Sequence, residues 1–119
     1  MAIEIGKKGL AEVNLVIPQG ASLAFAIVHK DAAGEVIDHS QSTIRMALQS
    51  RNGVNTYDMS EYCAGSAEQI AVSIPPEVTA ELPKGALVWD IFAEMQGDVS
   101  IRLAYGSANV VDTYALDGE

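Results

Sequence analysis

Apolar residues recur at every second position through most of this chain, and a period of two puts alternate side chains on one face of a strand. Val13, Leu15 and Ile17 begin the pattern with Glu12, Asn14 and Val16 between them, and Pro18, Gln19 and Gly20 break it. Leu23, Phe25 and Ile27 resume it as far as Lys30. The DAAGE segment at 31–35 then predicts a hairpin loop, with 35–37 as a short return. Ile44, Met46 and Leu48 predict a half-buried strand. The following Asn52-Gly53 pair predicts a type I′ turn, because such a turn needs positive φ at both central residues, and 54–59 is the expected returning arm. Residues 60–68 are small and polar and read as a loop, after which Ile70, Val72 and Ile74 restart the alternation.

One stretch changes period. In PPEVTAELPKG, Pro75 and Pro76 can open a helix, since a proline at its first position loses only an orphan donor, Val78 and Leu82 stand four apart, and Pro83 and Gly85 close the segment. A connector of one to two turns near residues 76–82 is expected, plugging one end of the fold with Val78 and Leu82. Leu87, Trp89, Ile91 and Ala93 then face one side, Asp90 and Glu94 the other, and Gln96, Gly97 and Asp98 form a tight reversal. Val99, Ile101 and Leu103 return with Ser100, Arg102 and Ala104 opposite. Gly106 is expected to break or bulge the strand, and 108–114 to form a last one. Seven to eight short strands with one small helical connector predict an all-β, two-sheet antiparallel sandwich.

Composition narrows the function. The chain has 119 residues, enough for one domain over 1–119 that needs neither a metal nor a disulfide staple. Seven Lys plus Arg stand against sixteen Asp plus Glu, a net charge of −9, and the basic residues are scattered. Neither nucleic acid nor an anionic membrane is an expected partner, since both demand clustered cations. No run approaches the length of a transmembrane helix. The start MAIEIGKKGL lacks the basic head and apolar middle of a signal peptide, so the protein is expected to stay in the compartment where it is made. Cys63 is the single cysteine, which predicts a partly buried thiol and excludes an internal disulfide.

Candidate chemistry is sparse. His29 and His39 flank the DAAGEVID segment beside Asp31, Glu35 and Asp38, a density that raises a metal hypothesis, yet the spacing matches no zinc or calcium pattern. A solvated acidic hairpin with His29 at its rim is the expectation. Trp89 is expected in the core. Tyr57, Tyr62, Tyr105 and Tyr114 fall on no common face, though a carbohydrate-binding sandwich using Tyr57 or Tyr105 is the alternative reading. No GxSxG, GxxxxGK or HExxH signature occurs, so no catalytic, cofactor-binding or metal-ligating residue is assigned and no cofactor is expected. Few lysines guard the expected strands, so their free edges, with Val36, Val88 and Val110 nearby, favour oligomerisation or docking.

Two stretches, 17–53 and 70–110, carry an ordered set of marks. These are Gln19-Gly20, Asp31 and Gly34, Asp38, Arg45-Met46, Thr79 and Leu82, Gly85, Trp89-Asp90 and Gly106. In order and spacing they resemble the small immunoglobulin-like proteins of tailed bacteriophages and prophages, including the amino-terminal domain of the baseplate upper protein family. The resemblance implies a non-enzymatic, immunoglobulin-like sandwich in the virion, made in the bacterial host cytoplasm, with other virion proteins and further copies of itself as partners. It implies structural roles for the marked residues. Larger members continue into a coiled coil or receptor-binding region, whereas this sequence ends at Glu119, which favours an adaptor or decoration role over the anchor of a fibre.

Overall fold

The computed structural model describes residues 2–5 and 11–112. Among these described residues ten strands form two sheets. The four-stranded sheet runs β1 (Ala2–Ile5), β4 (Leu23–His29), β8 (Ile70–Ile74), β7 (Cys63–Gly65). The six-stranded sheet runs β2 (Ala11–Glu12), β10 (Val99–Val111), β9 (Gly85–Met95), β5 (Thr43–Ser50), β6 (Thr56–Asp58), and β3 (Leu15–Pro18) also pairs with β10. Phe25, Ile27, Val72 and Ile74 from one sheet close on Met46, Leu48, Trp89 and Ile91 from the other, forming one buried apolar cluster. The Phe25 and Trp89 rings meet edge to face, 5.9 Å between centroids, as ring quadrupoles prefer.

The sandwich is therefore present, with ten strands rather than seven to eight and with parallel as well as antiparallel pairs. β1 lies parallel to β4, and β2 and β3 lie parallel to β10. Parallel neighbours need a long crossover, and here the opposite sheet supplies it, since the chain visits β2 and β3 between β1 and β4. Three loops also differ from expectation. Gly53 has φ 76° but Asn52 is not in the positive region, so 51–54 forms a wider loop closed by Ser50 N–H donating to Asn55 C=O at 2.9 Å, not a type I′ turn. The 35–37 return makes only one bridge, Lys30 to Val36. The 60–68 stretch holds a 3-10 turn and β7, which pairs with β8 through Cys63, Ala64 and Gly65.

The helical connector α1 (Pro76–Thr79) is present, with Leu82 buried and Val78 half-buried at the end of the core. Gly97 and Asp98, with φ of 82° and 62°, make the tight reversal before β10. The irregularity in β10 falls not at Gly106 but between Arg102 and Ala104, where the register with β9 slips and Leu103 and Ala104 are both fully buried. An extra residue in one strand reverses the inward set. Ala108 and Val110 consequently point inward, and Tyr105 and Ser107 point out. The end of the expected last strand, with Tyr114, lies outside the described residues.

Candidate functional site

The bulge builds a cleft. On the outer face of the six-stranded sheet, Tyr105 pairs across the ladder with Asp90 and Ser107 with Val88, while Ala47 and Gln49 of β5 lie opposite the same two β9 residues. These residues floor a cleft of about 550 Å³, within the roughly 300–1,000 Å³ usual for ligand sites. One wall is the segment joining β2 to β3, held down by three contacts. Trp89 Nε1–H donates to Val13 C=O at 2.8 Å, Val13 N–H donates to Tyr105 C=O at 2.8 Å, and Ser107 donates from both N–H and Oγ–H to Asn14 Oδ1. This close approach needs Gly106, because a Cβ there would collide with the Val13 carbonyl. The other wall is the β5–β6 hairpin, where Gln49 Nε2 donates to Thr56 Oγ1 at 3.3 Å and Arg51 stands at the rim.

Charge in the cleft is balanced. Arg102 lies over the Tyr105 ring, 4.6 Å from its centroid, and 3.7 Å from the Asp90 carboxylate. The charged side chains lining it are Glu12, Asp90, Arg51 and Arg102, two of each sign, in a chain of net charge −9.

A second polar feature is buried. His29 and His39 are each 1% exposed, and His29 Nδ1 meets His39 Nε2 at 3.0 Å with the rings only 11° apart in plane. The contact is edge to edge, a hydrogen bond that requires one nitrogen to donate and the other to accept. His39 Nδ1 continues the chain to Ser42 Oγ at 2.9 Å, and His39 N–H donates to Ser66 C=O. Burial lowers the His39 pKa first and the neighbouring His29 adds to it, against a smaller opposing effect of Asp38. The expectation of His29 as a rim residue is thus corrected. It occupies the third inward position after Phe25 and Ile27, a spacing that already indicated burial.

The carboxylates of that region do not join the histidines. Asp31 Oδ1 accepts from Ala33 and Glu35 N–H, and Asp38 Oδ1 from Ser40 N–H; the Ser40 hydroxyl first, and its N–H after it, hold the Asp38 carboxyl below its ordinary range. Among the described residues no three His, Cys, Asp or Glu side chains converge as metal ligands. Cys63 is half-buried against Met46, and burial, with Asp58 adding, pushes its pKa up to about 11. A thiol so protonated is a poor nucleophile. Tyr57 and Tyr62 pack toward the core, so of the three described tyrosines only Tyr105 lines the cleft.

Several marked residues do meet. Gln19 Nε2 donates to Leu82 C=O at 2.7 Å, Gly20 N–H donates to Thr79 Oγ1, and Thr79 Oγ1–H donates to Ala21 C=O at 2.8 Å. The Gln19-Gly20 turn and the connector are thereby tied together. Trp89 and Gly106 face each other across the β9–β10 ladder. Arg45 pairs with Glu94 at 2.8 Å on the outer face, and Met46 is buried. The network that holds the Asn14 wall gave no signal in the sequence, since its partners are up to 93 residues apart.

Two sheets closed over one apolar cluster, with a charge-balanced cleft on the outer face of the larger sheet, define a β-sandwich. Among solved structures, the chain is similar to the N-terminal domain of phage TP901-1 ORF48, with a TM-score of 0.52 and 12% identity over 94% of this chain and 97% of that one. The likeness is one of fold. No family model and no curated protein matches the sequence.

Proposed function

We propose that this protein is a non-enzymatic structural component of a bacteriophage or prophage virion, a single sandwich unit that docks onto other virion proteins as an adaptor or decoration module. The observation that carries the reading is the end-to-end correspondence of the sandwich with a phage protein domain, which spans nearly all of both chains. The marked turn and connector residues support it, because Gln19, Gly20, Thr79 and Leu82, which carry the resemblance to phage sandwich proteins, act here as ties within the fold. On this reading the chain is made in the bacterial host cytoplasm and resides in the particle, in several copies.

The edges bear on how it docks. The edge strands β1, β3, β6 and β7 are three or four residues long, whereas β9 and β10 inside the larger sheet run to 11 and 13. Short edges discourage strand-to-strand addition, so docking and self-association are assigned to sheet faces and loops. Mass spectrometry of gradient-purified particles from a lysogen encoding this chain tests the proposal. Detection at a fixed copy number is the expected result, and absence from intact particles would overturn it.

A further inference from the structure

The cleft is more specific than a docking face requires. Asn14 receives both Ser107 donors on its Oδ1, so the amide NH₂ is the group it offers to a ligand. Gln49 uses its NH₂ on Thr56, so its Oε1 is the group it offers. One wall thus presents a donor and the other an acceptor, with the Tyr105 ring between them. A sugar hydroxyl both donates and accepts, and a sugar ring has an apolar face that lies on an aromatic one. Arg102 lies over the Tyr105 ring, and both line the cleft, so the aromatic and guanidinium planes form one surface on which such a face can rest.

Charge selects among ligands. The two arginines and two carboxylates balance, which disfavours phosphate-rich and cationic ligands alike. The volume of about 550 Å³ suits one or two sugar rings rather than a long chain.

We propose that the cleft between Asn14 and Gln49, floored by Tyr105 and Val88, is a binding site for a neutral mono- or disaccharide. The site stands on the geometry of the outer face and does not rest on the virion reading. Rigid walls support it, because the Asn14 side is fixed through Trp89, Val13 and Gly106, and preorganisation lowers the cost of binding.

The test is amide-resolved NMR titration of the full chain with galactose, glucose, N-acetylglucosamine and rhamnose and their disaccharides, alongside a glycan array. At least one neutral sugar is expected to shift the Tyr105, Ser107 and Gln49 signals, with a Kd on the order of 1 mM. Tyr105→Ala is expected to weaken that binding about tenfold or more, a change of about 1.4 kcal/mol. Gln49→Ala, at an exposed position where the fold is not at stake, is expected to weaken it several-fold. A silent panel together with a silent array would overturn the proposal. So would shifts mapping away from the cleft, or binding that survives both substitutions.

Discussion

At the scale of single residues, the two buried histidines and Thr79 carry the least replaceable polar contacts. Folding buries His39 as a neutral ring, while the unfolded chain takes up a proton near the ordinary value of 6.5. The unfolded state therefore binds more protons as the pH falls, and stability drops with it. The loss begins near the ordinary histidine pKa and levels off only below the lowered folded one. Thermal unfolding midpoints measured at about pH 7.5 and about pH 5, above the range where most carboxylates titrate, are expected to be lower in acid. His39→Gln should flatten that difference and cost about 1–3 kcal/mol at neutral pH, because His29 and Ser42 lose a buried partner. An unchanged pH slope in the variant would place the titrating group elsewhere. Thr79 is fully buried and holds both Gly20 N–H and Ala21 C=O. Thr79→Val keeps the shape and removes both bonds, so a loss of about 1–3 kcal/mol in urea unfolding is expected.

At the scale of elements, the bulge in β10 and the wall it supports decide what the outer face looks like. Gly106→Ala forces a Cβ against the Val13 carbonyl and is expected to cost about 1–3 kcal/mol by overpacking. Trp89→Phe removes the indole donor to that same carbonyl and should cost about 1 kcal/mol. Because both act through Val13, the two costs should not add, and a double-mutant cycle in urea is expected to show coupling of at least about 0.5 kcal/mol. Full additivity would mean that the wall is held by other contacts. The same elements show what was legible beforehand. Strands β4, β5, β8 and β9 follow the period of two residue by residue, because each is half-buried against one core. The phase of β10 could not be read through Leu103, since one extra residue leaves the composition of a strand unchanged while turning Tyr105 from core to surface. That reversal hid the cleft. β1 was missed because four residues paired in parallel at an edge carry too short a period to register. The type I′ turn failed at Asn52, whose side chain accepts from Ser50 Oγ–H and Val54 N–H and so stabilises a wider loop.

At the scale of the whole molecule, charge is the property that no single contact explains. Four of the five described Lys and Arg residues, Lys30, Arg45, Lys84 and Arg102, already hold a carboxylate at the surface. Exposed pairs of this kind add little to stability, and their effect is to leave the excess of carboxylates as the field a partner meets. With a net charge of −9, a docking partner is expected to present a basic surface, which steers the encounter more than it strengthens the bound state. Screening by salt then acts mainly on the rate of association, since the Debye length shrinks from about 10 Å at 0.1 M to about 3 Å at 1 M. The measurement is stopped-flow or surface-based association with the neighbour found by cross-linking in purified particles. The association rate is expected to fall at least about tenfold between about 0.05 and 0.5 M salt, with the dissociation rate changing far less. A rate indifferent to salt would mean that docking uses a locally neutral surface, and the balanced outer face around Tyr105 would then become the region to map first.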